Sequence, residues 1–70
     1  MQQVDTRGRS CPEPVVMTKN VLDKLSEGEA FEVLVGEEVA RENVSRLVRS
    51  SGADLEIEEI ENYYKLEISR

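Results

Sequence analysis

Cys11 is the side chain in this sequence best suited to covalent chemistry, and what the chain lacks restricts what that chemistry can be. Its 70 residues include one Cys, no His and no Trp. An internal disulfide, a Cys-X-X-Cys redox pair, a Cys–His catalytic pair and a Cys/His zinc site are therefore excluded within the chain. No metal ligand set and no bound cofactor is expected. A cysteine hydrolase needs a base to activate the nucleophile and an acid to protonate the leaving group, and no residue offers itself for either task. Sulfur exchange asks for less, because a thiolate that attacks a persulfide displaces another thiolate. An exposed lone thiolate is sufficient.

The residues around Cys11 bear on whether it is that thiolate. Pro12 suits the first position of a helix, where a missing N–H costs nothing, and Pro14 falls within the same first turn. The spacing predicts a helix that starts at Cys11, with the thiol at its N-cap facing unpaired N–H groups and the positive end of the helix dipole. That environment is worth ~0.3–2 kcal/mol, against ~1.36 kcal/mol for a tenfold change in thiolate fraction, so the thiol should ionise below its ordinary value of ~8.5. With Pro12 and Pro14 lacking N–H groups, the donors nearest the sulfur are those of Glu13 and Val15. Arg7 and Arg9 would favour the thiolate if they fold over it, and Glu13 would oppose it. The plainer readings are that Cys11 is a small buried hydrophobe and that Arg7 pairs with Asp5.

Elements on both sides must hold this segment in place. A short strand over Gln2 to Asp5 leads into the irregular loop Thr6-Arg7-Gly8-Arg9-Ser10, where Gly8 can supply a positive φ. After Pro14, Val15, Met17, Val21, Leu22 and Leu25, with Thr18, recur at helical spacing, and Gly28 ends that amphipathic helix. Phe31, Val33 and Val35 alternate as a strand, with Leu34 partly buried on the opposite face. A second helix carries Ala40, Val44, Leu47, Val48 and Ser51 on one stripe, has Glu37 and Glu38 near its start and Arg41, Arg46 and Arg49 on its polar side, and stops at Gly52.

The apolar phase changes from odd to even between Ile57 and Ile60, which predicts a bulge or turn there. Tyr64, Leu66 and Ile68 then alternate with Lys65 and Glu67, and Asn62 offers a left-handed turn residue, so the last two strands form a hairpin. The order is βαβαββ. We expect an α+β fold, a two-layer α/β sandwich with two helices on one face of a four-stranded mixed sheet and the other face largely solvated.

Composition narrows the partners. Seventy residues make one small domain, 1–70, near the size at which folding buries only ~60% of the chain's surface. Fifteen acids against nine bases give a net charge of −6, which argues against direct nucleic-acid binding, since that affinity comes from Lys and Arg displacing counterions. Tyr63 and Tyr64 make a poor base-stacking platform without cations around them. No apolar run reaches the ~20 residues of a membrane span and the N-terminus lacks the pattern of a signal peptide, so a soluble cytoplasmic protein is expected, which a single unpaired thiol also fits.

The stretch Asp5-Thr6-Arg7-Gly8-Arg9-Ser10-Cys11-Pro12-Glu13-Pro14 resembles the Asp-X-Arg-Gly-X-X-Cys-Pro-X-Pro signature of the TusA-like, or SirA-like, sulfur-carrier family, with all six fixed positions matched. The family is similar in length and has the same element order. The resemblance implies that Cys11 is the functional residue. It would accept sulfane sulfur as a transient persulfide from a donor protein, a cysteine desulfurase or a rhodanese type, and relay it to an acceptor protein as a sulfurtransferase-like component. Asp5, Arg7, Gly8, Arg9, Pro12, Glu13 and Pro14 would support that site. Members serve tRNA thiolation, sulfur oxidation or selenium metabolism, and the run Glu38 to Val44 is similar to the N-terminal domain of YedF-type proteins. The alternative is a non-catalytic binding or regulatory module that uses the acidic surface of Asp54, Glu56, Glu58, Glu59 and Glu61. The sequence is silent on oligomeric state.

Overall fold

The computed structural model describes residues 2–10 and 12–70. The elements run β1 (Gln2–Asp5), α1 (Glu13–Asp23), β2 (Ala30–Val35), α2 (Glu38–Ser50), β3 (Asp54–Ile60) and β4 (Tyr63–Ser69). The strands form one mixed sheet in the order β1-β2-β4-β3. β1 lies parallel to β2, with Val4 beside Val33. β4 lies antiparallel to both β2 and β3, with Leu66 between Val33 and Ile57.

Alternation sorts the two faces. Val4, Phe31, Val33, Val35, Leu66 and Ile68 point to one side and, with Leu22, Ala40, Val44 and Val48 from the helices, form the core. Phe31, Val33, Val35, Leu66 and Ile68 are fully buried, and burial of a side chain of this size stabilises the fold by ~1.5–3 kcal/mol. In α1 the buried positions are Pro14, Thr18 and Leu22, at i, i+4 and i+8, while Val15, Met17, Val21 and Leu25 pack partly against the core. The buried Thr18 hydroxyl donates to the Pro14 carbonyl at 2.8 Å, so it enters the core without an unmet hydrogen bond. Leu34 is buried on the opposite face of the sheet, at 5% exposure.

The second helix ends on its sequence cue, whereas α1 stops at Asp23, short of Gly28, which takes φ +89° in the turn leading into β2. Gly52 takes φ +81° after α2, and its N–H donates to the Arg49 carbonyl while that of Ala53 donates to Val48, as a glycine-terminated helix requires. α1 has no basic residue in its last turn. The Arg70 guanidinium donates to the Leu22 carbonyl at 2.9 Å, bringing a cation from the far end of the chain to the negative end of the helix.

Two expectations about the hairpin are corrected. β3 and β4 pair without interruption from Asp54 opposite Ser69 to Ile60 opposite Tyr63, so no bulge lies between Ile57 and Ile60. The phase change is real, but Ile60 satisfies it by facing the open side of the sheet opposite Tyr63 rather than by re-entering the core. Among the described residues no side-chain-bearing residue has a positive φ, so Asn62 does not take the left-handed conformation. The two-residue connection Glu61-Asn62 closes without it.

Candidate functional site

The loop between β1 and α1 is fastened at its start by Thr6. This residue is 1% exposed, and both its N–H (2.9 Å) and its hydroxyl (2.6 Å) donate to the carbonyl of Leu34 in β2. One acceptor with two lone pairs receives both donors, so neither Thr6 donor is left unpaired. The chain then turns through Gly8 at φ +80°. A side chain there would incur the strain that L residues meet in the left-handed region. Gly36, just after β2, lies close beneath, and a Cβ added to it would stand 3.8 Å from the Arg7 Cα and the Gly8 nitrogen.

The structure brings Asp5 and Arg7 together as a two-pronged pair. Arg7 Nε and Nη2 each donate to a different Asp5 oxygen at 2.9 Å, and the Arg7 N–H adds a third bond at 3.0 Å. The side-chain hydrogen bonds from Arg7, followed by the one from its backbone, hold the Asp5 carboxyl down at about 2. The side-chain bonds to Asp5 in turn raise the Arg7 guanidinium above its ordinary value. Both side chains face solvent, so screening limits their worth to stability and their effect is chiefly geometric. The guanidinium also lies over the Tyr63 ring, 4.7 Å from its centre, which joins the loop to the end of the β3–β4 hairpin.

Further along, the Arg9 guanidinium pairs with Glu13 at 3.2 Å, and Lys19 pairs with Asp23 one turn later at 2.9 Å. The cations near the loop are thus matched by neighbouring carboxylates. Among the described residues no group of three or more acids, His or Cys could hold a metal ion.

The start of α1 is where the local reading needs correction. The helix begins at Glu13, not at Cys11, and Pro12 is the N-cap with φ −98° and ψ 16°. Pro14 then takes the second helical position, which needs no N–H. The first intrahelical bond runs from the Val16 N–H to the Pro12 carbonyl at 3.0 Å. The Glu13 N–H, expected near the sulfur, donates to the Ser10 carbonyl at 2.9 Å. Cys11 itself, and with it the expected N-cap thiol, lies outside the described residues.

Three residues of this region are absent from the sequence reading of the site. Thr6 and Gly36 are contributed by tertiary contacts across the sheet edge, for which the loop carries no local signal. The sequence offers Tyr63 only as a stacking surface for bases, whereas in the structure its partner is Arg7.

A β1–loop–α1 segment set on a mixed four-stranded sheet under two helices is the architecture of a SirA-like protein. The crystal structure of the SirA-like protein from Desulfitobacterium hafniense superposes with a TM-score of 0.89 at 28% identity, covering 97% of this chain and 95% of that one. The chain matches the family model described as Sulfurtransferase TusA over residues 2–70. A "Putative sulfur carrier protein" of Methanocaldococcus jannaschii is 35% identical over 71 residues, which span 100% of this chain and 95% of that protein. A protein of the same description from Thermotoga maritima is 38% identical over 58 residues, 81% of this chain and 73% of its own. The chain belongs to the TusA family.

Proposed function

We propose that this protein carries sulfane sulfur as a persulfide on Cys11. In loading, the Cys11 thiolate attacks the terminal sulfur of a donor persulfide. A new S–S bond forms to Cys11, the donor's S–S bond breaks, and the donor leaves as a thiolate. In delivery an acceptor thiolate attacks the terminal sulfur on Cys11, and Cys11 leaves as the thiolate. Each step exchanges one thiolate for another, so no outside oxidant or reductant enters and no general acid is demanded. This is chemistry open to a chain without His.

The observation that carries the reading is the family match over nearly the whole chain together with the unbroken Asp5-X-Arg-Gly-X-X-Cys-Pro-X-Pro pattern. The fold supports it by fastening the segments before and after Cys11, through Thr6 and Asp5–Arg7–Tyr63 on one side and Pro12 and Pro14 on the other. The donor is a protein of the cysteine desulfurase or rhodanese type, and the acceptor is a second protein. Such a lone thiol works in a reducing compartment such as the cytoplasm, and no described helix is long and apolar enough to cross a membrane.

Incubation with a cysteine desulfurase and cysteine tests the proposal. The intact protein should gain the mass of one sulfur atom, a gain that dithiothreitol reverses and that Cys11→Ser abolishes. Absence of any gain with both donor types, or an equal gain on Cys11→Ser, overturns it. Selenocysteine in place of cysteine reads out selenium in the same measurement, to which the YedF-like run Glu38–Val44, now the first turns of α2, draws attention.

A further inference from the structure

The outer edge of the sheet carries a second feature that sulfur transfer does not use. A groove of about 680 Å³ runs between α2 and β3, lined by Arg41, Arg46, Arg49, Glu42, two serines and Ile57. Three of the chain's nine cationic side chains therefore gather on one helix face in a protein of net charge −6. Among the described residues, Arg46 and Arg49 make no ion pair, although every cation around the Cys11 segment does. Arg41 lies over the Tyr64 ring at 5.0 Å and reaches Glu38 only at 3.5 Å. Its Nε is buried with no hydrogen-bond partner. Ile57, on the floor, is 38% exposed.

Beside this groove, β3 is an edge strand, paired on one side to β4 and open on the other. An open edge is a template for an added strand unless something blocks it. The two sides of this edge differ in charge. Towards α2 stand the arginines and Ile57, whereas on the open face Asp54, Glu56 and Glu58 stand in a row, with Lys65 reaching Glu58 at 3.1 Å.

We propose that this edge is a docking groove for an extended segment of a partner protein, laid along β3 with carboxylates turned towards Arg46 and Arg49 and cations at alternate positions facing Glu56 and Glu58. Main-chain hydrogen bonds to β3 would supply affinity, and the charge alternation would supply selection. Charge complementarity decides between occupants. A second copy pairing antiparallel through β3, in registers centred on Glu56, Ile57 or Glu58, sets Glu56 or Glu58 against a carboxylate of the other copy, and like charges directly opposite destabilise a sheet. Nucleic acid would meet the same acidic row. A peptide of alternating sign satisfies both sides at once. The groove is independent of the thiol, so this inference and the sulfur-carrier reading stand or fall separately.

Titration of the full isotope-labelled chain with a ten-residue peptide of alternating Glu and Lys, followed by amide chemical shifts, tests it. Shifts should concentrate in β3 and the outer face of α2, and the Arg46→Glu/Arg49→Glu double variant, both exposed positions, should weaken binding at least tenfold while its dispersed spectrum shows the fold intact. A peptide of the same composition with five Glu followed by five Lys should bind at least tenfold more weakly. Equal binding of the two peptides, shifts confined to other surfaces, or undiminished binding by the folded double variant overturns the proposal. So does a ten-nucleotide RNA producing the β3 and α2 shifts in place of the peptide, or dimerisation in sedimentation equilibrium that the double variant abolishes.

Discussion

Two cation-bearing regions of this protein use their charges in opposite ways. Around the segment bearing Cys11, Arg7 pairs with Asp5, Arg9 with Glu13 and Lys19 with Asp23. Along the α2–β3 edge, Arg46 and Arg49 pair with nothing among the described residues and Ile57 is left partly bare. Satisfied charges act on the chain itself. They fix the path of the loop, and together with their carboxylates they add almost no net field. Unsatisfied charges are available to another molecule. The comparison separates a braced loop beside the proposed sulfur site from an open surface proposed for recognition, and substitutions in the two regions should differ in kind.

The largest effect is expected at Gly8. Its φ of +80° is a conformation that costs an L side chain ~1–2 kcal/mol, so Gly8→Ala should lower Tm by roughly 5–15 °C in a domain of this size. An unchanged Tm would mean that the loop relaxes freely and that the tethering described above is weak. Thr6→Val comes next. It removes the buried hydroxyl bond to Leu34 but leaves the N–H bond to the same carbonyl, for a loss of ~1 kcal/mol measurable by urea unfolding.

A smaller effect follows from Asp5. Its folded carboxyl titrates at about 2, below the ordinary 3.8, so the native state binds that proton less readily than the unfolded chain. The stabilisation is fully present above about pH 4 and is lost as the pH falls through about 2. Asp5→Asn should flatten the acid limb of the stability curve in that window, and retention of the limb would assign it to other carboxylates. At the α2–β3 edge, Arg46→Ala and Arg49→Ala should change stability by no more than ~0.5 kcal/mol, as expected of exposed unpaired side chains. A larger loss in thermal or urea unfolding would show that these arginines serve the fold and would erase the contrast.

Most of the architecture was legible in the sequence because the signals were periodic. Phe31, Val33 and Val35 alternate, Val44 and Val48 recur one turn apart, and Gly52 ends α2 with positive φ. The misreadings arose where two physical rules competed. Taking an apolar residue as core-facing made Ile60 look like a break in β3, whereas the open face accommodates it against Tyr63. Two prolines in the first turn are compatible with more than one helix start, and the chain takes the later one, with Pro12 as N-cap and Glu13 as the first helical residue. The Asp5, Arg7, Gly8 and Cys11 pattern was visible as a motif. Thr6 binding Leu34, 28 positions away, and Arg7 lying over Tyr63 depend on the sheet bringing distant residues together, which no local pattern announces.

The claim that Cys11 holds transferable sulfur is tested most directly by cyanolysis of the loaded protein. After treatment with a desulfurase and cysteine and removal of both, cyanide attacks sulfane sulfur and releases it as thiocyanate, leaving the thiolate behind. The account predicts about one equivalent of thiocyanate per chain from the unaltered protein and none from Cys11→Ser, with Arg46→Glu/Arg49→Glu releasing as much as the unaltered protein. No thiocyanate from the unaltered chain, or an equal amount from Cys11→Ser, would contradict it.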